Sequence, residues 1–418
     1  MTRRASLGTI FFTVFLDLLG FGLVVPYLPG VARAHGGSDF VATLLGAGYS
    51  LMQLLFVPYW GQLSDRRGGR PILLVSIAAS IGGMLLLGSA GSLWVLFAAR
   101  IWSGIATSNI AVAQAYIADI TRPEERARGM GMIGAGIGLG FVFGPVIGGL
   151  LESVNQDLHL LPRPGALPAY AAAALGALNL LLAVFFLPES LPPEARGKAD
   201  PRAGRFGSPF DRERYRRALG LPGARLALLL NFVLVLSFAG MEQTFRLFTE
   251  DELGMDVRQT SYVLGVVGVI LILVQGALIR PLSRLIRETR LITLGVALEA
   301  VGFALLALSA GRGSTALVYV AMGTIALGSG LTNPSLSAFV SRRCDLQSQG
   351  AVLGVLQSAG AFARVCGPAG GGALYQGAGH AAPYVAAALG MSLAGALSLR
   401  LGRPLAGAPE APAPAARG

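Results

Sequence analysis

Five ionisable side chains sit in stretches of sequence that are otherwise almost wholly apolar: Asp17, Arg100, Glu242, Glu299 and Arg364. An ionised group taken from water is costly unless a partner or a polar interior receives it, so each marks a candidate functional position. Three acids and two bases nearly balance, which suits partners that meet across one cavity. Such a set can bind and release protons and recognise charged groups. A carboxyl changes its proton affinity with burial and with the approach of a guanidinium. Asp17, with Arg100 as its neighbour, is therefore the first candidate for carrying a proton. Glu242 is the second, or a contact for a cationic group. Other chemistries lack their residues. His35, His159 and His380 have no metal-ligand spacing. Cys344 and Cys366 are too few for a disulfide framework or a cysteine zinc site. No glycine-rich stretch ends in Gly-Lys-Ser/Thr, so no phosphate loop is present. The expectation is a protein without cofactor or metal, and not an enzyme.

The elements that must position these residues follow from composition. Of 418 residues 53% are hydrophobic and only 13% charged, about half the charge that a soluble domain carries. Mean hydropathy is +0.63. The net charge of +11 does not indicate nucleic acid, because the arginines sit in short runs between apolar stretches. A helix needs roughly 20 apolar residues to cross a bilayer. Twelve such stretches can be traced, at 6–28, 40–61, 71–90, 93–118, 130–151, 168–187, 223–246, 258–279, 291–310, 315–340, 350–375 and 381–401. The fold class expected is an all-α polytopic membrane protein of twelve transmembrane helices in two pseudo-symmetric six-helix halves. The first stretch is too long for a signal peptide and has no small-residue cleavage site, so it is read as retained.

Arginine placement orients the chain. With the N-terminus inside, inner segments hold Arg3, Arg4, Arg66, Arg67, Arg70, Arg122, Arg126, Arg128, the run Arg196 to Arg217, Arg280, Arg284, Arg287, Arg290, Arg342 and Arg343. Outer segments keep Arg33, Arg163, Arg246, Arg258 and Arg312. Both termini are expected in the cytoplasm. The boundaries expected are an N-terminal half at 1–187, a cytoplasmic linker at 188–222, a C-terminal half at 223–403 and a disordered tail at 404–418. Within the linker, Asp211–Leu219 reads either as a short basic helix on anionic lipid or as a solvated run that fixes topology.

The halves echo each other. Gly144-Pro145-x-x-Gly148-Gly149 in span five recurs as Gly367-Pro368-x-x-Gly371-Gly372 in span eleven. Ser108-Asn109 matches Thr332-Asn333, and Gly61-x-Leu63 matches Gly276-x-Leu278. Paired six-helix halves are a secondary-transporter architecture, with substrate bound near the midplane between them. Helical spacing then groups the polar residues. Arg100, Gly104, Thr107, Ala111 and Gln114 share a face of span four. Asn231, Phe238 and Glu242 share a face of span seven, with Gln243 adjacent. Gln357, Gly360 and Arg364 align in span eleven, and Asn333 pairs with Ser337 in span ten.

The loop Gly61-Gln-Leu-Ser-Asp65-Arg66-Arg-Gly68-Gly-Arg70 resembles the signature between spans two and three of the major facilitator superfamily. Spans one, four, seven and ten line the cavity in that superfamily, and Asp17, Arg100, Glu242 and Asn333 fall one in each. The resemblance implies a cytoplasmic latch: Asp65 meeting the N-terminal end of span eleven near Gly350, and Arg70 pairing with Asp119. The alternative is that these charges only set topology. Leu16-Asp17-Leu-Leu-Gly20-Phe-Gly22-Leu23-Val-Val-Pro26-Tyr-Leu28-Pro29 looks like the opening of tetracycline-type drug:proton antiporters. Gly140-x-x-x-Gly144-Pro145-x-x-Gly148-Gly149 resembles the motif associated with antiporters, and Phe232–Gly254 is similar to the same exporters. The glycines at 136, 140, 144 and 148 form one smooth face, which suits either a rocking interface or a purely structural helix contact. Glu299 resembles an acidic position in span nine of those exporters, with a structural pairing as the other reading. Two departures weigh against tetracycline itself as substrate: span three contains no acid, and span eleven contains Arg364.

The function expected is proton-coupled efflux of small amphipathic compounds by alternating access, in a bacterial inner membrane and as a monomer. Asp17, Glu242 and Glu299 are the proton-coupling candidates. Arg100, Thr107, Gln114, Phe238, Gln243, Asn333, Gln357 and Arg364 are the cavity candidates, with Arg364 either binding an anionic group or neutralising Glu242. The partners expected are protons, a small-molecule substrate and the lipid bilayer, with no nucleic acid. The alternatives are proton-coupled uptake of a sugar or organic acid by symport, or a membrane receptor with no transport cycle.

Overall fold

The structure is a computed structural model that describes residues 3–107, 109–121, 123–190, 223–342 and 349–402, with 216 and 220. Most of the linker, the Asp211–Leu219 segment, Ser108 and the tail from 404 lie outside the described residues. All regular structure among the described residues is helical, as a bilayer demands: with no water in the hydrocarbon, each backbone polar group must be satisfied within its own segment. The helices are α1 (Arg3–Val24), α2 (Leu28–Ala34), α3 (Asp39–Arg67), α4 (Gly69–Gly88), α5 (Leu93–Ala106), α6 (Asn109–Ile120), α7 (Pro123–Leu158) and α8 (Ala166–Phe186) in the first half. The second half holds α9 (Ala224–Leu253), α10 (Val257–Leu273), α11 (Ile279–Leu285), α12 (Glu288–Ser309), α13 (Thr315–Arg342), α14 (Gln349–Ala378) and α15 (Ala382–Ser398). Among the described residues, ten helical stretches are long and apolar enough to cross a membrane. The broken α5–α6 span and the glycine-rich α14 complete the twelve spans.

Two local departures from the expected spans have visible causes. Span four, expected as one helix over 93–118, breaks at Thr107, which takes an extended conformation after Ala106. The carbonyls freed there are satisfied by side chains: Trp60 Nε1 donates to Ile105 at 2.6 Å and the Thr107 hydroxyl donates to Ser103 at 2.7 Å. The Ser76 hydroxyl donates to Ala106. Span eight carries a π-helical stretch at Val274–Leu278, around Gly276, the single-turn bulge that interrupts α-helices at adjustable places.

Glycine seams join the helices within each half. A methyl group on Gly144 of α7 would stand 2.6 Å from the Gly22 Cα of α1, and one on Gly140 would stand 2.6 Å from the Leu18 Cβ. Gly148 meets the Leu23 backbone in the same row. The smooth glycine face of span five therefore packs inside its own half, the structural alternative, and not along the rocking interface. The side of α7 that faces the other half is formed by Val142, Val146 and Gly149, which meet Gly268, Gly265 and Ser261 of α10. The second half repeats the internal seam: a methyl on Gly371 of α14 would lie 3.1 Å from the Gly240 Cα of α9. The repeated Gly-Pro motifs thus occupy equivalent seams, which is the pseudo-symmetry seen in the sequence. The halves meet along α3 with α14 and along α7 with α10. Each half has its own apolar core, around Leu23, Leu45 and Tyr116 in the first and Phe248, Phe303 and Tyr384 in the second.

Candidate functional site

Where the halves face each other, four helices bring charge together and a fifth, α3, supplies an aromatic ring. Arg100 of α5 is 1% exposed. Its guanidinium lies 4.3 Å from the centre of the Tyr49 ring of α3 and 5.7 Å from that of Phe21 of α1. A planar cation over an aromatic face is an attractive arrangement, stronger when desolvated. The Phe21 and Tyr49 rings are themselves 5.2 Å apart, so they form the floor on which the guanidinium rests. Tyr49 is hydrogen-bonded to Thr107, and it lies in the electrostatic field of Asp17, Arg100 and Arg364. From the second half, Glu242 of α9 stands within the field of Arg364 of α14 and of Arg100 across the interface. Arg100 Nε and Nη1 have no hydrogen-bond partner among the described residues. Both are donors held in a water-poor place, and such donors are costly unless an acceptor reaches them.

Asp17, Arg100, Thr107, Glu242 and Arg364 thus lie in one neighbourhood. Tyr49 of α3 joins them. Gln243 is 3% exposed and packs on Gly46 of α3, where a methyl would stand 2.7 Å from its Cδ. It is a contact between the halves. Arg364, Phe238, Asn333 and Gln357 keep exposed surface, and Gln114 is half-buried. No described contact ties Gln114, Phe238, Asn333 or Gln357 to the charged cluster.

Glu299 lies elsewhere. It is 2% exposed in the seam of α12 with α13, where Gly328 leaves room for its stem. Thr332 hydrogen-bonds its carboxyl, and Oε1 has no partner among the described residues. A charge in an apolar span and the resemblance in span nine made Glu299 conspicuous in the sequence; its seam lies within the second half.

At the end of the bundle that carries the first and last described residues, Gly68 closes α3 with a φ of 99°, a conformation that favours glycine. Its Cα is covered by the Glu189 carboxylate, and the Tyr116 hydroxyl donates to the Pro188 carbonyl at 2.7 Å. The end of span six therefore straps the signature loop, a role for Glu189 that no motif announced. Gly61 is buried and Arg66 exposed. Arg70 Nη2 donates to the Val184 carbonyl at 2.8 Å. The side chains of Asp65 and Asp119, and with them the expected pair with Arg70, lie outside the described residues, as does the surrounding of Gly350.

At the opposite end the halves are joined by polar contacts that the sequence analysis passed over. Arg33 Nη1 and Nη2 donate to the two carboxylate oxygens of Asp251 at 2.7 and 2.5 Å, and its Nε donates to Asp39 at 2.6 Å. Arg258 pairs with Asp157 at 2.7 Å. The Tyr27 hydroxyl bonds Ser261 at 2.9 Å and the Pro145 carbonyl. Opposite charges in facing loops were the available signal, but loop charges are ordinary.

Comparison with known proteins agrees with this architecture. The sequence profile of the Major Facilitator Superfamily matches residues 10–368. The chain is 36% identical over 371 residues to the class C tetracycline resistance protein of Escherichia coli, covering 88% of this chain and 89% of that one. It is 32% identical over 375 residues to the class G tetracycline resistance protein of Vibrio anguillarum, covering 89% and 91%. Among solved structures it is similar to the human organic anion transporter MFSD10 (TETRAN), with a TM-score of 0.71, 25% identity, and coverage of 95% of this chain and 100% of that one. A twelve-span helical body in two halves, a charged cluster between them and this match along nearly the whole sequence have one conclusion: the chain belongs to the Major Facilitator Superfamily of membrane transporters.

Proposed function

We propose that the protein exports small amphipathic compounds across a bacterial inner membrane in exchange for protons, by alternating access. In this reading residues 1–187 and 223–403 are the two rocking halves joined by a cytoplasmic linker at 188–222, the chain acts as a monomer, and both termini face the cytoplasm. The arginine-rich loops beside the termini support that orientation. The observation that carries the proposal is the cluster at the junction of the halves, where Glu242 shares a field with Arg364 of its own half and Arg100 of the other. Asp17 of the first half acts on the same Tyr49 that carries Arg100. A proton on Glu242 removes a negative partner from both halves at once. Rocking separates or joins those partners, so proton occupancy and the direction of opening bias each other. A cationic group of a substrate competes with the proton for the same carboxylate, which is the physical basis of exchange. The similarity to tetracycline resistance proteins supports the same direction.

One observation favours a second reading. Arg100 offers two donors without partners, and Arg364 keeps exposed surface nearby. An organic anion would fit these guanidiniums, as would suit a protein similar to the human organic anion transporter MFSD10. Protonation of Glu242 would then strengthen anion binding, so anion and proton would travel together.

The test is proton movement in inverted membrane vesicles holding an imposed acid interior. Tetracycline, other amphipathic cations and organic acids would be added in turn. Exchange predicts that at least one cationic compound dissipates the gradient and that the Asp17→Asn variant does not respond. An equal response in that variant would move the proton to Glu242 or Glu299. A response confined to organic acids would favour the second reading.

A further inference from the structure

We propose that Arg33 is the latch of the external side, and that its clamp on Asp251 must break before the protein can open outward. The assignment of this end as external rests on the orientation given above. The geometry does not. Arg33 sits in α2, at the far end of span one, and its guanidinium is used on three sides. Nε holds Asp39 at the start of α3, within its own half, while Nη1 and Nη2 hold both oxygens of Asp251 near the end of α9, in the other half. A bidentate guanidinium–carboxylate pair fixes orientation as well as distance. Asp251 is fixed in turn from the second half: the Tyr375 hydroxyl of α14 donates to it at 2.7 Å. His380 stacks on the Tyr375 ring with centres 4.7 Å apart and bonds Glu252 at 2.6 Å. Glu252 also receives the Gly311 amide at 2.7 Å. The catch is therefore a built receptor for the arginine, tied to α9, α14 and the loop after α12. Beside it, the Phe40 amide donates to Gln376 at 2.9 Å, a second bond across the same seam.

The other interhalf seam ends in a related pair. Arg258 of α10 meets Asp157 at 2.7 Å and Ser153 at 3.0 Å. Arg33 lies before the loop that follows span one, and Arg258 just after the loop that follows span seven. The two pairs differ in shielding. Arg33 and Asp251 are 25% and 20% exposed, against 43% and 60% for Arg258 and Asp157. Exposed pairs contribute little because water and salt screen them. The Arg33 clamp is the one whose loss should change the balance of states.

The experiment is a distance measurement by pulsed electron spin resonance in lipid nanodiscs. Spin labels are placed at Leu160→Cys of the first half and Arg312→Cys of the second, with Cys344→Ser and Cys366→Ser. The chain carrying only these changes should show mainly one short distance. Arg33→Gln and Asp251→Asn should each raise the long-distance, open fraction by about fivefold, and the double variant should match either one, as for two ends of one interaction. Arg33→Lys, which keeps the charge and loses the fork, should fall between. Arg258→Gln should shift the distribution less than Arg33→Gln. Unchanged distributions in both Arg33→Gln and Asp251→Asn would overturn the latch, as would additive effects in the double variant. Should Arg33→Gln not fold, Arg33→Lys and Asp251→Asn carry the same comparison. The distances do not depend on protons or substrate. Opening without proton exchange would leave the latch standing and remove the proposed transport reaction; exchange without opening would do the reverse. A membrane-impermeant thiol reagent on Leu160→Cys in intact cells separately tests that this end is external.

Discussion

Arg100 is a full charge, 1% exposed, resting on Tyr49 with two donors unpartnered. Lysine at this position would keep the charge but lose the planar face and the fixed donors. Arg100→Lys is expected to slow substrate flux about tenfold, the effect of losing roughly 1.4 kcal/mol of stacking and hydrogen bonding. Flux in proteoliposomes, at protein loading matched by size-exclusion chromatography, checks this; flux equal to that of the unmodified chain would remove Arg100 from the site. The four charges of this cluster were legible because charge is rare in an apolar span. The same signal picked out Glu299, which the structure puts in the α12–α13 seam beside Thr332. An outlying charge reveals burial but not which cavity receives it. Tyr49 and Arg33 did not stand out from others of their kind, since tyrosine is an ordinary core residue and arginine an ordinary loop residue.

Elements are held in register by glycine. Gly144 touches Gly22 so closely that any side chain must push α1 and α7 apart. Gly144→Val is expected to lower stability by about 1–3 kcal/mol, the usual cost of overpacking, read as earlier thermal unfolding in detergent. Gly8→Ala, where nothing lies within 4 Å, should leave unfolding unchanged. Equal stability of both variants would mean that the seam is not close-packed. The four-residue spacing of these glycines was visible in the sequence, yet their partner was not. A smooth face fits a neighbour in either half, and only the assembled bundle shows that it is α1. The break at Thr107 was hidden for a similar reason. The groups that cap it, Trp60 and Ser76, come from α3 and α4, so no local pattern announces it.

At the scale of the whole molecule, twelve spans and two echoing halves follow from apolar length, arginine placement and the repeated Gly-Pro motif. How the halves rest on each other does not. The described contacts close the end opposite the termini through Arg33, Arg258 and Tyr27, while Gln357 and Arg364 of α14 and Asn333 of α13 keep exposed surface. This is the arrangement of a transporter closed on one side. In the proposed reaction, coupling is a matter of sign. A substrate that competes with the proton for Asp17 or Glu242 must move against it, whereas one that binds the guanidiniums must move with it. The decisive measurement is counterflow in proteoliposomes that start with equal pH on both sides. A responsive compound is loaded inside, the liposomes are diluted into compound-free buffer, and internal pH is followed with a trapped dye. Exchange predicts that the interior acidifies as the compound leaves, and that Asp17→Asn abolishes the change. An interior that turns alkaline as the compound leaves would show the two moving together, and would contradict export by proton exchange.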